Sequence, residues 1–173
     1  MNILAIDPGS THSGWVVMDA ETLKPLKFAK EPNERLLERL WLGGVGFEID
    51  IAPYAAIEMI ASYGMSVGKE VFDTCVWIGR FQEAILQLYD MSVHFVYRKD
   101  EKMTICGSMK AKDSNIRRAL IDRFAKHDMK NGKGTKDTPD WFYGFKADIW
   151  QAYAVGVTWV DMQKERAYDG HNT

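Results

Sequence analysis

Asp7, Glu58 and Asp148 are the residues whose type and setting could carry chemistry. Asp7 ends the apolar run Ile3 to Ile6, and Pro8 and Gly9 then force a tight turn into a second apolar run, Trp15 to Val17. The Gly and Ser residues of that turn leave room, and offer N–H and hydroxyl donors, for a phosphate or a metal-bound phosphate close to the backbone. A plain hairpin whose Asp starts a turn accounts for the same residues. Glu58 stands inside Ala-Ala-Ile-Glu-Met-Ile, where a carboxylate is costly to bury alone. It therefore needs a strand end, a partner or a cation. Asp148 falls in the first turn of an apolar-striped segment, a position that a helix-dipole partner would also occupy.

Charge is distributed unevenly around these acids. The chain has a formal net charge of −2, yet residues 97–136 carry 12 Lys and Arg against 5 Asp and Glu, which leaves 10 against 19 elsewhere. Such asymmetry points to a segment facing a polyanion, although a solvated surface gives the same count. Within the segment, Arg98, Lys99, Lys102, Lys110 and Lys112 precede a helix capped by Asp113 or Ser114. Ile116, Leu120 and Phe124 form its buried stripe, and Arg117, Arg118 and Lys126 stay free for solvent or phosphates. Basic groups around a helix N-terminus make a phosphate-contacting surface.

The elements that must hold these residues follow from apolar period and turn signals. At 173 residues the chain suits one domain, 1–173, with an ordinary globular balance of 46% hydrophobic and 27% charged residues. Three N-terminal antiparallel strands are expected, with Trp15 to Asp19 and Lys24 to Phe28 flanking a turn at Ala20–Thr22. A helix opens at Pro32, carries Leu36, Leu37, Leu40 and Trp41, and closes at Gly43–Gly44. The run at Tyr54 to Ile60 reads as a strand parallel to the first. Ala61 to Gly68 reads as a loop. Val67 to Tyr89 reads as the longest helix, with a stripe at Val71, Cys75, Ile78, Phe81 or Gln82, Ile85 and Leu88. Its second apolar face, with Phe72, Trp77 and Ala84, is a candidate dimer contact. A strand at Ser92 to Tyr97, the basic helix, a mobile loop at 130–140 and a final helix from about Phe145 to Lys164 complete the order.

Cys75 and Cys106, without CxxC spacing, are expected to be buried thiols in a reducing compartment. No apolar run approaches the roughly 18 residues of a membrane span, and the N-terminus lacks a signal-peptide pattern. The expectation is a cytoplasmic protein of a bacterium or a phage-infected host, with no membrane partner.

Taken together, Ile-Asp7-Pro-Gly-Ser-Thr-His-Ser-Gly14, Ala-Ile57-Glu58 and Lys146-Ala-Asp148-Ile-Trp-Gln-Ala-Tyr-Ala154, in this order of elements, resemble the RuvC-type Holliday-junction resolvases, especially those encoded by phages. The resemblance covers nearly the whole chain. It implies an α/β, RNase H-like fold: a mixed five-stranded sheet flanked by helices. It further implies that Asp7, Glu58 and Asp148 converge on Mg²⁺ or Mn²⁺, with two ions activating water and stabilising the leaving 3′ oxygen of a phosphodiester. The family often carries a further Asp or His one turn before the last acid. Here that position is Phe145, next to Lys146, so Asp140 or water is left as the fourth ligand.

By position, Lys102 and Lys112 resemble basic residues that hold the scissile strand, which makes Lys112 a candidate catalytic group. Lys110, Arg117 and Arg118 extend the expected DNA surface. Family members act as homodimers on four-way junctions. A ribonuclease H, a broad debranching endonuclease or a YqgF-like relative would show the same acids, and a non-catalytic nucleic-acid-binding protein of this fold is a further reading. The Asp-x-Gly-Ser-Thr turn also resembles actin-like ATPases and sugar kinases. Those folds need a second phosphate motif for which this chain has no space.

Overall fold

The computed structural model describes residues 1–47, 54–62, 64, 66–89 and 92–169. Its central strand is β1 (Asn2–Asp7), whose apolar run Ile3 to Ile6 is buried on both faces. β1 pairs antiparallel with β2 (His12–Asp19), and β2 pairs antiparallel with β3 (Pro25–Pro32). On its other side β1 pairs parallel with β4 (Tyr54–Met59), which pairs parallel with β5 (Ser92–Tyr97), giving the order β3-β2-β1-β4-β5. The mixed five-stranded sheet and the parallel return at Tyr54 match the sequence expectation.

Alternation along these strands divides the core in two. Leu4, Ile6, Trp15, Val17, Ala55 and Ile57 face one side, where they pack on α1 (Asn33–Trp41) and α3 (Lys69–Tyr89), with the short α2 (Gly44–Phe47) between them in sequence. Ile3, Ala5, Val16, Met18, Ala56 and Val96 face the other, where they pack on α5 (Asp113–Phe124) and α6 (Ala147–Asp169). The same parity puts Asp7, Gly14 and Glu58 on the α6 side. Gly156 lets α6 lie close there: a Cβ on it would come within 2.5 Å of Met18 Sδ.

Several local expectations change. The edge strand β3 continues to Pro32, so α1 starts one residue later than expected, with Pro32 as its cap. Helix α3 turns Thr74, Trp77, Ile78, Phe81, Ala84 and Ile85 inward. Trp77 and Ala84 therefore belong to the core face, and Cys75 is exposed rather than buried, because the bulk of Trp77 and Phe81 sets the helix phase. Cys106 is half-buried. The side chain of Leu88 and the backbone of residues 63 and 65, parts of the expected stripe and loop, lie outside the described residues.

The basic stretch after β5 is itself a helix, α4 (Arg98–Cys106), ended by Gly107 at φ 63°. Helix α5 is capped by Lys112 rather than by Asp113 or Ser114, with the Lys112 N–H donated to Asn115 Oδ1 at 2.9 Å. The final helix begins at Ala147. No helix among the described residues is long and apolar enough to cross a membrane.

Candidate metal centre and basic flank

One row of residues crosses the sheet at the carboxyl end of β1. Lys30 on β3 stands opposite Gly14 on β2, and Gly14 stands opposite Asp7. The β1–β4 register, with Ile6 against Ile57, carries on to Asp7 beside Glu58. The start of α6 then comes down on this row. A Cβ at Gly14 would meet the Asp148 carbonyl oxygen at 2.4 Å, so only glycine leaves α6 room over the hairpin. Lys30 Nζ reaches Asp148 Oδ2 at 2.5 Å.

The turn after Asp7 is braced from α1. Ser13 Oγ donates to Asn33 Oδ1 at 2.7 Å, and Asn33 Nδ2 donates to the Gly9 carbonyl at 2.8 Å. The Gly9 N–H donates in turn to Ser13 Oγ at 3.3 Å. Ser13 and Asn33 are fully buried. The turn thus serves as a rigid mount for one carboxylate, and the Ser13 hydroxyl and Gly9 N–H are spent inside it.

Electrostatics tie the acids together. Burial, then a hydrogen bond to Glu58, then the charges of Glu58, Asp148 and Glu101 push the Asp7 pKa well above the ordinary carboxylate range. Glu101 is an acid that the sequence reading missed. It stands on the first turn of α4, wholly buried, and its Oε2 accepts from Arg98, whose other guanidinium nitrogen donates to Asp113. Burial and the Glu58 charge raise its pKa to about 8, against the pull of Arg98. A helical phase through this stretch would have shown it, since Glu101 and Ile105 are one turn apart and Ile105 packs on the core.

Among the described residues, no three Asp, Glu, His or Cys side chains already stand in a metal-clasping arrangement. The cause is visible in the contacts: Asp7 is hydrogen-bonded to Glu58, and Asp148 is turned onto Lys30. Burial and the neighbouring acids raise the proton affinity of Asp7, and Lys30 pairs with Asp148. Carboxylate oxygens with no soft donor among them, crowded enough to raise one another's proton affinity, fit a hard divalent cation.

Two expected site residues fall elsewhere. Asp140 has both oxygens occupied, with Lys126 and Trp141 N–H donating to Oδ1 at 2.8 and 2.7 Å. His127 and Asp128 N–H donate to Oδ2 at 2.9 and 2.7 Å. Burial pushes its pKa up, but the four N–H donors outweigh burial and hold it well below the ordinary range. Asp140 is the anchor of the 130–140 loop and leaves the candidate metal site. That loop also hangs on Asp128, which accepts from the N–H groups of Asn131, Lys133 and Gly134. Phe145 is fully buried among Phe28, Phe142, Trp150 and Tyr153, so its position holds core and no ligand.

The basic candidates divide as well. Lys102 is half-buried on α4, in a cleft of about 220 Å³ shared with Arg98, Lys99 and Met109. Lys110 and Lys112 are exposed on the approach to α5. Arg117 lies over the Trp150 ring at 4.7 Å, in a cleft of about 250 Å³ between α5 and the first turns of α6. Arg118, expected to be free, is instead paired with Asp122 and donates to the Met129 carbonyl at 2.8 Å.

No protein-family model and no curated protein sequence matches the chain. Solved structures do match. RuvC of Thermus thermophilus has a TM-score of 0.68 at 16% identity, over 95% of this chain and 96% of that one. The same protein in complex with a Holliday-junction substrate gives 0.65, with the same identity and coverage. A fowlpox virus resolvase in complex with substrate Holliday-junction DNA gives 0.51 at 13% identity, over 94% and 99% of the two chains. At these identities the likeness is one of fold: the mixed sheet with flanking helices is that of the RuvC-type resolvases.

Proposed function

We propose that this chain is a divalent-metal-dependent endonuclease that resolves four-way DNA junctions by paired phosphodiester hydrolysis. The observation that carries the reading is the meeting of Asp7, Glu58 and Asp148 at one end of the sheet, where burial and then the neighbouring acids raise the Asp7 pKa. A protein that only bound DNA would gain nothing from carboxylates placed where phosphate must approach. In this reading Asp7, Glu58 and Asp148 hold Mg²⁺ or Mn²⁺, two ions in the fullest form. The metal supplies Lewis-acid activation of water and charge stabilisation at the leaving oxygen.

The chain's own residues do the rest. The brace of Ser13 and Asn33 fixes Asp7, Gly14 admits the start of α6, and Lys30 orients Asp148. In this reading Lys102, Lys110, Lys112 and Arg117 contact the phosphates flanking the cut, and Lys112 supports the scissile strand. Two nicks in a two-fold symmetric junction call for two copies of the site. Phe72, Val76 and Leu86 on α3, with Trp41 and Leu42 at the end of α1, are exposed apolar residues suited to such a homodimer contact.

The test is cleavage of a synthetic mobile four-way junction beside a linear duplex and an RNA–DNA hybrid, with and without Mg²⁺. Paired symmetric nicks in the junction, dependent on the metal, are expected. Preferential cleavage of the hybrid would replace the reading with a ribonuclease H activity, and binding without cleavage would leave only a DNA-binding protein.

A further inference from the structure

Glu101 has one oxygen accounted for and one that is not. Oε2 is held by Arg98, but Oε1 is buried without any hydrogen-bond partner, in a residue with no exposed surface. Buried carboxylate oxygens are rarely left unpartnered, because the lost hydration has to be replaced by something. Among the described residues no donor reaches this one. Its neighbours are acids: Glu58 is the charge that acts most strongly on it, and Glu101 in turn acts on Asp7.

Topology explains the meeting. Glu58 is paired in register with Val96 on β5, one residue before Tyr97, and α4 begins at Arg98 immediately beyond the strand. The first turn of α4 therefore stands beside the end of β4. The four acids form a chain with a cation at each end, Lys30 on Asp148 and Arg98 on Glu101. Among the described residues no ion pair reaches Asp7 or Glu58 between them. Asp7 and Glu58, half-buried between the two cations, are where a divalent cation meets unpaired carboxylate oxygens.

We infer that Glu101 is a metal ligand of this chain, lending Oε1 to a divalent cation held together with Glu58 and Asp7. The inference rests on the metal-dependent reading above and adds to it a donor from α4, where neither Asp140 nor Phe145 can serve. Arg98 acts as a positioning residue: it holds Oε2 and leaves Oε1 for the cation. Its bridge to Asp113 ties that orientation to the start of α5.

The experiment is calorimetric titration of the metal-free protein with Mn²⁺, comparing wild type with Glu101→Gln. Gln keeps an oxygen for Arg98 but removes the ligand charge, so the fold is expected to persist, checked by circular dichroism. Wild type should bind Mn²⁺, and the variant should bind at least tenfold more weakly and lose most of the metal-induced rise in melting temperature. Equal affinity in the two proteins would overturn the role of Glu101 while leaving the metal-dependent reading in place. No binding by wild type would overturn both. If Glu101→Gln does not fold, Mn²⁺-soaked crystals of wild type decide: an anomalous peak within about 2.3 Å of Glu101 Oε1 supports the inference, and a peak on the other acids alone refutes it.

Discussion

Replacing Glu101 by Gln should make the metal-free protein more stable at pH 8 while leaving it nearly unchanged at pH 5. In the folded chain, burial and the charge of Glu58 raise the Glu101 pKa from an ordinary 4.5 to about 8, so between those values the folded state binds a proton that the unfolded state releases. Stability from this group is then fully present below pH 4.5 and is lost as pH rises toward 8. At ~1.4 kcal/mol per pH unit, the loss between pH 5 and pH 8 is roughly 3 to 4 kcal/mol. Asp7, raised mainly by its burial and by Glu58, shifts stability in the same direction. His94, lowered by burial and then by Arg166, opposes it through loss of stability as pH falls below 6.5. Asp19 is lowered to about 2 by its hydrogen bonds to Thr22, so it acts only below the window.

His94 and Asp19 are common to both proteins and cancel in the difference, while loss of the Glu101 charge raises Asp7 less in the variant and adds to its advantage at pH 8. Urea unfolding in EDTA at pH 5, 6, 7 and 8 measures it. With a urea slope of ~2 kcal/mol per M, the variant's midpoint should exceed that of wild type by ~1.5 to 2 M at pH 8 and by little at pH 5. A difference that stays flat across this range would refute the argument that Glu101 is buried against the charge of Glu58.

Four other substitutions probe separate parts of the account. Asp140→Ala should cost about 3 kcal/mol by leaving four backbone N–H groups without their acceptor, with Mn²⁺ affinity unchanged. A tenfold loss of metal affinity in a stable variant would return Asp140 to the ligand set. Gly14→Ala drives a methyl into the Asp148 carbonyl and should cost about 1 to 3 kcal/mol while weakening Mn²⁺ binding, read by urea melts and calorimetry. For DNA contacts, Lys112→Ala should reduce the slope of log affinity against log salt on a four-way junction by about one. Arg118→Ala should leave that slope unchanged, because its guanidinium is already committed to Asp122 and Met129.

The sheet and the three carboxylates were legible in the sequence because strand ends, tight turns and helix starts leave local marks. Asp7 before Pro-Gly and Glu58 in an apolar run are anomalies that any reading must explain. Glu101 left only a faint mark, its one-turn spacing from the core-packed Ile105. It lies in a stretch dominated by lysine and arginine, and net charge hides a single acid whose burial is decided by the packing of α4 on α5 and α6. Asp140 misled for the opposite reason, since an acid beside a polar loop looks the same whether it faces a cation or four backbone amides. The phase of α3 was shifted by one position because Val71 and Cys75 are apolar, while the volumes of Trp77 and Phe81 fix which face enters the core. The free guanidinium assigned to Arg118 is taken by Asp122 one turn on, a spacing the sequence does carry, and by the Met129 carbonyl just past the helix, a contact that periodicity does not encode.

The central claim, that Asp7 belongs to a metal centre that cuts DNA junctions, is tested most directly by one comparison. Wild type and Asp7→Asn are assayed on the same labelled four-way junction, with binding followed in EDTA and cleavage followed in Mg²⁺. The account predicts metal-dependent paired nicks from wild type, and none from the variant, with junction affinity within about threefold. Cleavage retained by Asp7→Asn would contradict it.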